Sequence, residues 1–287
     1  KRVNFKLAAF NNSFVSPRWL GVGETFQIQP SEIMKPVLVL AIATYLSRNV
    51  KKLNNIKGYI VPIIMLLIVV LLMYLQKHMS GMLVLIVAAV SVIFASGIKL
   101  KFRAIAAGVL VIGMVGVAFV MAEDFRLQRI LAFMNPEENL KDDNWQAAQS
   151  LYAIGSGGLF GRGLGQSRQK YLWLPEAQND FIFSILGEEL GFVGTTVVLG
   201  LFGFFIYKGY KIAMTCKDFY GSLIAAGITS IFAIQILINV AVVTCSMPVT
   251  GMTLPFFSYG GTSLFINLCS MGIILNISKN CNKTKEQ

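Results

Sequence analysis

The sequence predicts an all-α polytopic membrane protein, and three observations lead there. Of its 287 residues 55% are hydrophobic and 14% charged, where a soluble domain carries about a quarter charged. Apolar runs too long for core strands recur along the chain. Basic residues gather in short clusters between those runs, as on the cytoplasmic side of a membrane protein. That distribution, more than the formal net charge of +11, decides against nucleic acid as a partner.

Seven runs are candidate spans: Ile33–Ser47, Gly58–Gln76, Met82–Gly97, Phe102–Ala122, Phe181–Tyr207, Phe219–Thr244 and Thr262–Ile277. A crossing helix needs about 20 residues, so the first and third must borrow flanking residues. In lipid at these lengths only helices satisfy their own backbone. Arg48, Lys51, Lys52 and Lys57 follow the first span; Lys99, Lys101 and Arg103 follow the third. Lys208, Lys211 and Lys217 follow the fifth, and Lys279, Lys283 and Lys285 the seventh. All four clusters fall on one side, which the positive-inside rule makes cytoplasmic, the C terminus included. The N-terminal segment 1–30 is thereby expected outside, as in a chain preceded by further spans.

The other side receives a large extracytoplasmic loop, residues 123–180, longer than most connections between elements. Leu127, Ile130, Leu131 and Met134 recur in it at helical spacing, and Trp145–Ile154 is apolar enough on one side to lie at the membrane interface. Gly155, Gly157, Gly158, Gly161, Gly163 and Gly165 then interrupt helix and bring backbone close to whatever binds. The four cysteines, Cys216, Cys245, Cys269 and Cys281, show no metal spacing, and a disulfide framework is not expected. His78, the one histidine, is read as a solvated loop residue.

Ionisable groups at or within a span mark function by default. Glu32 and Lys35 lie three apart on one helix face, after Arg18-Trp19-Leu20 and Gln29-Pro30-Ser31. Either they form a cavity-facing functional pair or they order this helix against its neighbours. Arg162, Arg168 and Lys170 beside the glycines suit a phosphate, or else anionic lipid headgroups. Asp180 is either the N-cap of the following span or a desolvated general base. Glu188 and Glu189, two turns into that span, need partners such as Lys35 or a basic loop residue, or must be neutral. The uncharged segment from Pro248 to Gly261, rich in proline, glycine and aromatics, is tolerated near a membrane where it lines a cavity or packs on protein.

Together these segments resemble the SEDS family (shape, elongation, division and sporulation proteins) of bacterial cell-wall synthesis. The resemblance rests on RWLGVG…QPSEIMK, on QSLYAIGSGGLFGRGLGQSRQKYLWLPEAQNDFIFSILGEELG and on PVTGMTLPFFSYGGTSL, in that order over nearly the whole chain. The SRQK-x-LWLPEA wording is closer to the division and sporulation branch (FtsW/SpoVE-like) than to the elongation branch (RodA-like). Family members have about ten crossing helices, and QPSE begins the third. The resemblance therefore implies a single SEDS-type membrane domain over 1–287 that lacks the first two spans.

It further implies a peptidoglycan glycosyltransferase in the bacterial plasma membrane, at the division septum, polymerising lipid II, a disaccharide–pentapeptide on undecaprenyl diphosphate. Asp180 matches the essential acid of the PEA-x-DFIF segment. Its implied role is to deprotonate the acceptor 4-hydroxyl as that oxygen attacks the donor's anomeric carbon and displaces the lipid diphosphate. Arg18, Glu32, Lys35, Arg168, Lys170, Glu176, Glu188, Ser258 and Tyr259 are the candidate substrate-binding residues, Arg168 and Lys170 facing the diphosphate. A divalent cation, Mg or Mn, is the candidate cofactor, with no ligands assigned. Expected partners are a class B penicillin-binding protein transpeptidase, other division proteins and membrane lipids. The family's QPDLGT is replaced by Gln76-Lys77-His78-Met79-Ser80-Gly81, so no role is carried over for that acid. Two rival functions remain open at this point: a lipid II flippase and a scaffold that recruits the transpeptidase.

Overall fold

The computed structural model describes residues 20–22, 26–76, 78–97, 143–171 and 174–286. The helical class holds. Among the described residues are seven α-helices: α1 (Pro30–Arg48), α2 (Ile60–Leu75), α3 (Met79–Ala95), α4 (Asp143–Gly157), α5 (Ile182–Thr215), α6 (Phe219–Val243) and α7 (Gly261–Glu286). A three-residue antiparallel hairpin, β1 (Leu20–Val22) with β2 (Phe26–Ile28), pairs Leu20 with Ile28 just before α1. Six of the seven expected spans lie in these helices. Phe102–Ala122 falls outside the described residues, as do the Leu127–Met134 stretch, Arg18, Trp19 and Trp173. Four described helical stretches are long and apolar enough to cross a membrane: Lys57–Leu75, Ile182–Thr215, Phe219–Val243 and Gly261–Cys281.

The chain divides into two compact units, one of residues 1–112, 209–231 and 261–287, the other of 113–208 and 232–260. In the first, α1 starts on Pro30, whose missing N–H is harmless in the opening turn. Helices α1, α2 and α3 pack on one another through Val39, Ile42, Ala43 and Leu46 of α1 and Val84, Leu85, Ala88 and Val92 of α3, all buried. Gly227 of α6 admits the side chains of Val39 and Val92 where a Cβ would overlap both. On α2, Leu67, Ile68, Leu71, Leu72 and Leu75 stay exposed. Such a patch would aggregate in water, and on a crossing helix it is the face turned to lipid.

Two readings of the sequence are corrected here. His78 is buried, and its Nδ1 caps α3 by accepting the Gly81 N–H, with the Gln29 amide 3.3 Å from its Nε2. An imidazole nitrogen thus does the capping work of a short polar side chain. Cys216 and Cys281, 65 residues apart, are joined in a disulfide with Cα atoms 5.1 Å apart. The cap itself is local, three residues along the chain, but the Gln29 contact and the disulfide depend on where a distant segment returns.

In the second unit α4, the N-terminal part of α5, the C-terminal part of α6 and the loop after it are joined by a buried polar knot. Ser150 of α4 donates to the carbonyl of Val243 at 2.7 Å and shares a hydrogen bond with Ser184 of α5 at 2.7 Å. Phe205, Phe232 and Phe256 pack together with ring centroids 5.3–6.1 Å apart.

Candidate active site

The site grows from a break in α5. At Gly191 the backbone leaves the helical region (φ 67, ψ −167). The carbonyls of Glu188 and Glu189 would ordinarily accept the N–H groups of Phe192 and Val193. Instead they accept Arg162 N–H and Gly163 N–H, both at 3.0 Å, while Phe192 N–H and Val193 N–H donate to Gly158 and Leu159 carbonyls at 2.9 and 3.1 Å. The glycine loop is therefore spliced into the helix, backbone to backbone. A Cβ at Gly157 would overlap the Gly187 carbonyl, and one at Gly161 the Glu189 carbonyl. These glycines do bring backbone close, and what they approach is the chain's own helix.

The two acids ahead of the break hold the basic part of that loop. Glu188, 1% exposed, accepts Arg168 N–H at 3.0 Å and Arg162 Nη1 at 3.3 Å on one oxygen. Its other oxygen accepts the Ser167 hydroxyl and Gln169 N–H. Glu189 accepts Ser167 N–H at 3.2 Å and Lys170 Nζ at 2.9 Å, and Lys170 also donates to the Gly165 carbonyl. The expectation that these acids need basic loop partners is met by Arg162 and Lys170. Of the three cations expected to face phosphate, two are thus paired internally, and the exposed Arg168 guanidinium has no acid partner among the described residues.

Asp180 lies two residues ahead of α5, half-buried. Its carbonyl accepts Asn239 Nδ2 at 2.8 Å, and the same nitrogen donates to the Met252 carbonyl at 2.6 Å. Its Oδ2 lies 3.3 Å from the position a Cβ would take on Gly251, whose φ is +69°. A side chain at 251 would crowd the carboxylate. The residues just before it are pinned to the loop after α6: Ser258 Oγ donates to Asn179 carbonyl and Tyr259 N–H to Gln178 carbonyl, at 2.6 and 2.9 Å. Ser258 Oγ also accepts Leu254 N–H at 2.6 Å, so it is a staple between loops. Tyr259 itself is 78% exposed. Glu176 sits exposed in a left-handed turn (φ 52) and accepts the Asn179 amide. Such strain in a non-glycine residue is uncommon and gathers at functional sites.

Glu32 and Lys35 form an ion pair of 2.6 Å, at 5% and 1% exposure. Pro36 has no N–H for the Glu32 carbonyl, which loosens the helix beside the pair. Asp180, Glu176, Ser258, Tyr259 and the Glu188 clamp thus share one unit, and the Glu32–Lys35 pair lies in the other. No group of three or more His, Cys, Asp or Glu side chains able to hold an ion occurs among the described residues. The residue that sequence reasoning missed is Asn239. Its signal was available, as one of two side-chain amides, with Gln235, inside a mostly apolar crossing helix.

Fold and site define a multi-pass helical membrane protein that holds a carboxylate at the head of a span, backed by an uncharged proline-rich loop. Residues 8–283 match the family described as cell cycle protein, FtsW/RodA/SpoVE, and the chain belongs to that family. It is 43% identical over 269 residues to stage V sporulation protein E of Bacillus subtilis, covering 92% of this chain and 72% of that protein. It is 40% identical to a probable peptidoglycan glycosyltransferase FtsW of Trichlorobacter lovleyi, over 91% of this chain and 68% of that one. Among solved structures it resembles a chain of a peptidoglycan synthase complex that coordinates polymerization and crosslinking (TM-score 0.75, 26% identity, 96% of this chain and 76% of that chain). It also resembles rod shape determining protein RodA of Thermus thermophilus (TM-score 0.64, 28% identity, 96% and 73%).

Proposed function

We propose that this protein is a peptidoglycan glycosyltransferase that polymerises lipid II, with Asp180 as general base. The observation that carries the reading is the placement of Asp180. Its backbone is bound from α6 and its neighbours from the loop after α6, which holds the carboxylate still at a span terminus. A hydroxyl nucleophile needs such a base. The acceptor 4-hydroxyl oxygen bonds to the donor's anomeric carbon and its proton passes to Asp180. The bond from that carbon to the diphosphate oxygen breaks, and undecaprenyl diphosphate leaves with the electron pair.

A leaving diphosphate calls for positive charge. Arg168 is the loop cation whose side chain is not already engaged by an acid, and it is the first choice for that contact. Lys170 would have to leave Glu189. Arg18 remains a candidate on its motif alone, as does a Mg or Mn ion that the diphosphate would help to bind. Glu32 and Lys35 bind substrate or order their helix, as the sequence left open. The uncharged loop's Tyr259 offers an exposed ring and hydroxyl for the sugar or peptide. The protein works in the plasma membrane with its C terminus in the cytoplasm, at the division septum beside a class B penicillin-binding protein. Residues 1–287 form a single SEDS-type domain.

Purified protein supplied with lipid II tests the assignment. Asp180→Ala should lower glycan polymerisation by about 10²-fold or more, the usual contribution of a general base. Unchanged polymerisation would remove Asp180 from the chemistry. Absence of polymerisation by the wild type beside its partner would favour a flippase or a scaffold.

A further inference from the structure

Asn239 is 1% exposed in the C-terminal part of α6, and of the four long apolar helical stretches described this one is the most covered by protein: 72% of its most apolar part is buried, against 28% or less in the other three. An amide here is expensive unless its polar atoms are matched. Both hydrogens of Nδ2 are matched, one on the carbonyl of Asp180 and one on the carbonyl of Met252. Oδ1 has no hydrogen-bond partner among the described residues. The orientation is chemically determined: turning the amide over would aim Oδ1 at two carbonyl oxygens and lose both bonds. The side chain therefore tolerates a buried unpaired oxygen in order to present two donors at once.

What those donors join matters. One carbonyl belongs to the residue carrying the candidate base. The other belongs to the residue after Gly251, the glycine against which the Asp180 carboxylate rests. Asn239 thus sets the spacing between the backbone that carries the carboxylate and the backbone that backs it. Ser258 and Tyr259 bind residues 178 and 179, and Asn239 completes the series at 180.

We infer that Asn239 is a positioning residue for Asp180, holding the base by one bridging amide between the start of α5 and the loop after α6. This rests on Asp180 being the base. An Asp180 freed at its carbonyl keeps its carboxylate and its hydrogen-bonding capacity, so substrate affinity is retained while the proton transfer loses alignment. A misplacement of about 1 Å costs up to about 10²-fold in rate.

The experiment uses the purified protein with lipid II, and three variants. Asn239→Leu, branched like Asn but larger and without donors, should where it folds keep its KM within about twofold, while kcat falls by about tenfold or more. Asn239→Asp places an ionised oxygen against two carbonyls at alkaline pH and regains one O–H donor when protonated. Its kcat relative to wild type should therefore rise as the pH is lowered from about 8 to about 6. A purely packing role would move unfolding temperature and leave both the kcat–KM split and this pH ratio unchanged. If Asn239→Leu fails to fold, the near-isosteric Asn239→Asp carries the test alone. Wild-type kcat in folded Asn239→Leu, or a pH-independent ratio in Asn239→Asp, overturns the inference. Asp180→Asn separates the two levels: wild-type turnover there overturns the functional reading itself, and loss of turnover there together with unaffected Asn239 variants overturns only the positioning role.

Discussion

The glycine-rich loop 158–170 and the proline-rich loop 244–260 belong to the same unit and reach order by opposite means. The first carries Arg162, Arg168 and Lys170 and is held by the acids Glu188 and Glu189 and by backbone exchanged with the break at Gly191. The second carries no formal charge and is held by neutral hydrogen bonds from Asn239, Ser258 and Tyr259, with Phe256 packed against Phe205 and Phe232. The charged loop looks like a ligand site in the sequence, and most of its charge is used in folding. The uncharged loop has the chemistry of filler, and it frames the one carboxylate on which the reaction is proposed to depend. Charge near a membrane therefore marks where something must be neutralised, which is a different matter from where catalysis occurs.

Substitutions in the two loops put that contrast to the test. Gly161→Ala has the largest expected effect on stability. Its φ of +78° disfavours a side chain and a Cβ would overlap the Glu189 carbonyl. A loss of about 3–5 kcal/mol is expected, seen as poor yield and early thermal unfolding in detergent. Glu188→Ala comes next, because it strands a buried hydroxyl and two loop N–H groups; a destabilisation of about 3 kcal/mol should appear, with residual activity following the folded fraction. Activity lost out of proportion to folding would put Glu188 in the chemistry and weaken the contrast.

Ser258→Ala removes two bonds at once and should cost about 1–3 kcal/mol. Here turnover should fall further than stability explains, since the released segment leads to Asp180. Equal falls in both would make the second loop as purely structural as the first. Lys170→Ala should matter less to folding. Its pair with Glu189 is partly exposed, at 28% and 14% of the side chains, and such pairs contribute about 0–1 kcal/mol. Arg168→Ala should leave the unfolding temperature unchanged and raise KM for lipid II, because its guanidinium binds no acid within the described chain. No change in either quantity would move the diphosphate contact elsewhere.

Much was legible before any coordinates. Bilayer thickness sets the length of an apolar run, so six expected spans fall in helices whose ends are displaced by a few residues, except that α5 and α7 run on to Thr215 and Glu286. The Gly191 break was not legible, because a glycine in an apolar run is compatible with straight helix until a second backbone arrives to replace the missing bonds. Residues 188 and 189 were known to need partners, and loop residues were among those considered, but the choice of Arg162 and Lys170 required the loop to fold back. His78 was misread in part for the same reason: its cap on the Gly81 N–H is local, while its contact with Gln29 comes from 49 residues away.

The sequence by itself determined the class of the protein, the positions of its spans, its family resemblance and the carboxylate on which to bet. Those follow from the run lengths the bilayer demands and from contiguous motifs, both local properties of the chain. The tertiary structure alone decided which charges are neutralised, which glycines face backbone and which amide holds Asp180. Asn239 meets Asp180 across 59 residues and Ser258 meets Asn179 across 79. The physical reason is that a hydrogen bond acts over about 3 Å, so its partners are set by where the fold brings segments together, whatever their separation along the chain.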